Sequence, residues 1–157
     1  MNKSDNMTAI ADKAYVRKQE NMDLERFSSM VKLNWGNSIE TGATTPASPY
    51  DCSARTTMGD SIIELKSRDC PHDKYTTSII ECDKYAEGLM YHVTQHFTPI
   101  YVCFYNDGVA MVWNLLDNCF PPKAAKRSAK NPGYNTEENN VAYFLPAYKA
   151  KRLRWMK

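Results

Sequence analysis

Two short runs of this 157-residue chain hold side chains that could do chemistry together: Tyr50-Asp51-Cys52-Ser53-Ala54-Arg55 and Ser61-Ile62-Ile63-Glu64-Leu65-Lys66-Ser67-Arg68. Both read as β-strands, and the polar stretch between them, ending in Gly59-Asp60, reads as a turn. Successive strand side chains face opposite ways. Glu64 and Lys66 therefore share one face, and Ile63 and Leu65 point from the other into a core. On the first run Asp51, Ser53 and Arg55 share a face, with Cys52 and Ala54 behind. A hairpin turning between Thr57 and Met58 sets Asp51 directly opposite Glu64, with Cβ atoms about 5 Å apart. Two carboxylates at that spacing can hold Mg²⁺ or Mn²⁺, hard cations that take oxygen ligands and keep waters for a substrate to displace. Lys66 adds a positive charge beside them. An exposed hairpin face with a cross-strand ion pair would show the same pattern and contribute only a fraction of a kcal/mol.

The surrounding elements decide whether such a pair is held in place. Residues 1–7 are expected to be loose, followed by helices over Thr8–Glu20 and Asp23–Asn34. In the second helix Leu24, Phe27, Met30 and Val31 form a buried stripe that stops at Gly36. Residues 37–49, rich in Ser, Thr, Gly and Pro, predict a loop or short irregular strand. A strand-like run from Ser78 leads into a helix over Asp83–Phe97, with Tyr85, Leu89 and Val93 inward, and His92 and His96 beside them. Glu81, Asp83 and Lys84 read as the solvated start of that helix. Strands Ile100–Tyr105 and Ala110–Leu115 form a hairpin around Asn106-Asp107-Gly108, a strong turn signal. Pro121, Pro122, Pro132 and Gly133 then interrupt regular structure before a last strand, Val141–Leu145, and a basic tail over 148–157.

A helix, an Asp-bearing strand, a Glu-x-Lys strand, a second helix and further strands: this order resembles the restriction-endonuclease-like nucleases, whose pattern is PD-(D/E)xK. Within them the chain is similar to small single-domain members related to Holliday junction resolvases. Pro49 stands one residue further back than the motif's proline, and Tyr50 takes its place. The resemblance implies an α/β (α+β) fold with a central mixed β-sheet flanked by helices. It makes Asp51 and Glu64 metal ligands, and Lys66 the cation that orients the attacking water or stabilises charge on the scissile phosphate. A glutamate from the preceding helix joins the site in many such proteins, and both Glu20 and Glu25 are available here. The implied activity is Mg²⁺- or Mn²⁺-dependent hydrolysis of DNA, with RNA and a homodimer left open. The rival reading is a nucleic-acid-binding or assembly protein with this fold and no turnover.

Composition is compatible with one domain over residues 1–157. The chain has no apolar stretch of the roughly 18 residues a membrane span needs, and its first residues lack the apolar core of a signal peptide. Cysteines 52, 70, 82, 103 and 119 are odd in number and scattered, which fits reduced thiols and a cytoplasmic setting. They show neither zinc-ligand spacing nor a local signature pairing one with His72, His92 or His96. The formal net charge of +2 says little about partners. Two acid-free basic runs say more: Lys123, Lys126, Arg127 and Lys130, then Lys149, Lys151, Arg152, Arg154 and Lys157. Lys126, Arg127, Arg152 and Arg154 are candidate phosphate contacts. Arg68, with Lys13, Arg17 and Lys18, offers an alternative track.

Overall fold

The computed structural model describes residues 3–45, 48–117, 123–125 and 140–156, with the backbone alone in 3–13, 43, 123–125 and 140–141. In chain order the elements are α1 (Lys3–Trp35), β1 (Glu40–Ala43), β2 (Cys52–Thr56), β3 (Gly59–Arg68), β4 (Thr77–Glu81) and α2 (Cys82–Gln95). These are followed by β5 (Thr98–Tyr105), β6 (Val109–Asn114), β7 (Lys123–Ala125), β8 (Asn140–Pro146) and β9 (Lys151–Arg154). A six-stranded sheet runs in the order β1-β2-β3-β5-β6-β9, and β4, β8 and β7 make a three-stranded one. The large sheet is mixed, since β3 and β5 are parallel while its other neighbours are antiparallel. The expected central mixed sheet with helices is therefore present. No described helix is long and apolar enough to cross a membrane.

α1 is one helix where the sequence reading expected two, and it starts at Lys3, inside the segment expected to be loose. Asn21-Met22-Asp23 contains no glycine or proline, so nothing stops the helical ladder there. What changes at that point is packing. Residues 14–18 are exposed, whereas Leu24, Phe27, Met30, Val31 and Trp35 pack on the sheet. Gly36, at φ +62°, supplies the left-handed stop.

Alternation in β2 and β3 then separates two cores. Cys52, Ala54, Ile63 and Leu65 meet α1, together with Val102, Phe104 and Ala110. The opposite face, carrying Tyr101, Cys103, Met111 and Trp113, is covered by α2 and the small sheet through Tyr85, Ile80 and Leu145. Two polar groups of this second core are paired across layers. Trp113 Nε1 donates to the Pro146 carbonyl at 2.9 Å and Tyr101 Oη to that of Ile79 at 3.1 Å. Tyr85 stacks on Tyr143 with centroids 4.2 Å apart. The aromatic residues of β5 and β6 are core, as expected.

Three local expectations are corrected. In α2 the inward stripe is Tyr85, Gly88, Leu89 and His92, whereas Val93 is 76% exposed, about 80° round the helix from Tyr85 at 100° per residue. His96 is exposed at the helix C-cap with φ 61°, and His92 Nδ1 lies 3.0 Å from the Phe97 carbonyl. The basic tail is not a free end, because Lys151–Arg154 pairs with β6 as the sheet's last strand. The run at 37–49 contains the short strand β1, one of the two alternatives expected there.

Gly88 fixes how closely α2 approaches the sheet. A Cβ there would lie against Tyr50 Oη and 2.9 Å from Pro99 Cβ. Gly88→Ala must push α2 away from Tyr50 and β5. The variant is expected to lose about 1–3 kcal/mol in urea denaturation despite alanine's better helix propensity, and unchanged stability would contradict this packing.

Candidate active site

The hairpin register is the one expected from the turn. Cys52 pairs with Ile63, Ala54 with Ser61 and Thr56 with Gly59, and Asp51 stands just before β2, where the ladder ends. Asp51 donates its backbone N–H to the Ile63 carbonyl at 3.1 Å. Its carboxylate then takes over beyond the end of β2: Oδ2 accepts the Leu65 N–H at 2.7 Å. The side chain thus replaces a missing strand carbonyl, which fixes one carboxylate oxygen. Thr44 Oγ1 donates to the Asp51 carbonyl at 2.9 Å and also contacts that of Tyr50, clamping this corner.

Glu64 projects from the middle of β3 on the face away from α1, beside Tyr101 in the register. Its side chain is 16% exposed, and Oε2 is buried without a hydrogen-bond partner among the described residues. The nearest cation is Lys84 of α2, whose Nζ stands 3.4 Å from that oxygen as a charge contact. Lys84 Nζ also donates to the Pro49 carbonyl, and its own carbonyl accepts the Tyr50 hydroxyl at 2.9 Å. Lys66 lies two residues further along β3 on the same face as Glu64 and is exposed. Its charge is felt at Glu64, less strongly than that of Lys84.

Burial sets the electrostatics. It pushes the Glu64 carboxyl up to about 7, Asp51's charge adds to the rise, and Lys84 and Lys66 oppose it. Asp51 is raised too, first by burial, with the Leu65 N–H and Lys84 pulling down and Glu20 and Asp23 pushing up. Lys84 loses basicity through burial but regains more from Glu64, Asp51 and Glu87, so it is raised overall and stays charged.

The influence of Glu20 on Asp51 distinguishes the two helix glutamates. The charge of Glu20 acts on Asp51, whereas Glu25 lines a shallow cleft with Met22, Arg26 and Trp155. Asp23 is engaged elsewhere, accepting Ser67 Oγ–H at 2.5 Å and Arg26 Nη1 at 2.8 Å. Arg68 continues the Glu64–Lys66 row on β3 and is exposed. Arg152 and Arg154 lie on β9, separated from β3 by β5 and β6, roughly 14 Å away at the usual strand spacing. Lys126 and Arg127 lie outside the described residues, as does Cys119, while Cys52, Cys70, Cys82 and Cys103 are free thiols.

Reading Lys84 as part of a solvated helix start was wrong, since it is the cation nearest Glu64. One signal pointed to it. Gly88 follows four residues later on the same side of the helix, and a glycine inside a helix permits the close approach that brings Lys84 to the sheet. Tyr50 was also passed over, although it ties Asp51's corner to α2.

Among the described residues no group of three or more Asp, Glu, His or Cys side chains converges on one point. The oxygens that could hold a cation are the carboxylates of Asp51 and Glu64, with Glu64 Oε2 unpartnered among the described residues. These hard oxygens fit a cation that keeps most of its coordination as water.

No family model matches the chain, and no curated protein matches it. Among solved structures it is similar to the Holliday junction resolvase Hjc of Archaeoglobus fulgidus, an archaeal hyperthermophile. The two share 11% identity and a TM-score of 0.48, over 76% of this chain and 86% of the other.

The carboxylate pair has a consequence for stability. Glu64 titrates near 7 when folded, against an ordinary value of 4.5. Its protonated form therefore favours the fold at low pH, and that contribution is lost as pH rises from about 4.5 through 7. Without divalent ions, the stability difference between pH 5 and pH 8 should change by about 1–3 kcal/mol when Glu64→Gln removes the titration. Parallel denaturation curves for the two proteins at both pH values would contradict the burial assigned to Glu64.

Proposed function

We propose that this chain is a metal-dependent nuclease that hydrolyses phosphodiester bonds in DNA. The reading rests on one observation above the rest. Asp51, just before β2, and Glu64, on the neighbouring β3, are both largely buried acids, and Glu64 Oε2 has no hydrogen-bond partner among the described residues. Asp51 and Glu64 would hold Mg²⁺ or Mn²⁺, and Glu20, whose charge acts on Asp51, would contact a metal-bound water. Such an ion supplies polarisation of the phosphate and a lower pKa for the attacking water.

The chain's own residues do the rest. Asp51 is oriented by the Leu65 N–H, so no freedom is lost on binding. Lys66, exposed on the Glu64 side of β3, can reach a phosphate that bridges the pair and stabilise charge as the phosphorane forms. Arg68 extends this cationic row along the strand. Arg152 and Arg154 form a separate basic edge, which with Lys126 and Arg127 we assign to more distant backbone contacts.

Glu64→Gln and Lys66→Ala are each expected to reduce Mg²⁺-dependent cleavage of DNA at least about 100-fold, with circular dichroism unchanged. Linear, single-stranded and branched substrates should be assayed in parallel. Full activity in either purified variant would remove that residue from the mechanism. DNA binding by the wild type without cleavage in any divalent ion would favour the non-catalytic reading.

A further inference from the structure

Lys84 belongs to no Glu-x-Lys triplet, yet its ammonium is held more firmly against the carboxylates than that of Lys66. Three features of the fold put it there. The side chain is 30% exposed, and Nζ donates to the Pro49 carbonyl while standing 3.4 Å from Glu64 Oε2. Its helical turn is pinned to Asp51's neighbour by the Tyr50 hydroxyl on the Lys84 carbonyl. Gly88, one turn on, leaves the room that Tyr50 occupies.

The contact with Glu64 is incomplete. Oε2 is buried and makes no aligned hydrogen bond, so the ammonium balances its charge without satisfying its lone pairs. A divalent ion about 2.1 Å from that oxygen would lie within a few ångströms of Nζ, where like charges repel strongly in a half-buried setting. Both cannot keep this position. The Pro49 carbonyl gives the ammonium a second anchor, so it can leave Glu64 by a rotation of its flexible stem.

We propose that Lys84 is the resident cation of the site: in the metal-free protein it occupies the metal's side of Glu64, and a divalent ion binds by displacing it. This inference rests on the carboxylate pair being a metal site. Displacement sets a threshold, since Lys84 lowers metal affinity while preventing two buried carboxylates from facing each other uncompensated.

Calorimetric titration of the full chain with MnCl₂ at pH 8 tests it, using wild type, Lys84→Met, Lys84→Gln and Lys66→Met. Both Lys84 variants should bind Mn²⁺ at least tenfold more tightly than wild type, and Lys66→Met should change affinity less than threefold. The uncharged but polar Lys84→Gln guards against a fold defect in Lys84→Met. Unchanged or weaker binding in folded Lys84 variants, with wild type binding normally, would overturn the competition and leave the metal site standing. Absence of Mn²⁺ binding in all four proteins would overturn both.

Discussion

The register of the β2–β3 hairpin is the constraint on which the site depends. Side chains alternate along a strand, so a slip of one residue would turn Glu64 into the α1 core and bring Ile63 or Leu65 to the polar face. Burial of Ile63 and Leu65 against Phe27, Met30 and Val31 prevents that slip, at roughly 1.5–3 kcal/mol for each large apolar side chain kept from water. The same hydrophobic contacts that build the core therefore place the carboxylates. Asp51 adds a lock of its own beyond the end of the ladder, since its backbone N–H bonds the Ile63 carbonyl and its Oδ2 accepts the Leu65 N–H.

A second tension is electrostatic. Burial makes both acids harder to ionise, and at Glu64, pushed up to about 7, the charge of Asp51 adds to the rise. The fold accepts this at a place where a cation can compensate. Lys84 provides the nearest compensation from α2, and Lys66 a more distant one from β3. Structural ion pairs generally satisfy their oxygens with aligned donors. Glu64 Oε2 has none among the described residues, which is the feature expected of a group that keeps room for a ligand.

Much of this was legible in the sequence, for identifiable reasons. The hairpin announced itself because a period-two pattern flanks a short polar turn, and its register followed from the turn alone. Asn106-Asp107-Gly108 gave the second hairpin in the same way, with Gly108 at φ +81°. Contacts between elements distant in sequence were not legible. The approach of α2 to β3, which delivers Lys84, depends on Gly88, Tyr50 and Pro99 meeting in space, and no local pattern encodes that meeting. The continuity of α1 was missed because a break was placed where the buried stripe begins, although a helix can extend past the surface it packs on. Burial of the carboxylates was also invisible, because strand alternation assigns a face but not what covers it.

The central claim is that Asp51 and Glu64 together form a divalent-metal site. Crystals of the wild-type protein soaked in Mn²⁺ at pH 8, with data collected for anomalous scattering, test it most directly. The account predicts an anomalous peak about 2.0–2.3 Å from one carboxylate oxygen of each residue, on the Oδ1 side of Asp51. A peak at any other cluster, or saturating Mn²⁺ with both carboxylates unliganded, would contradict it.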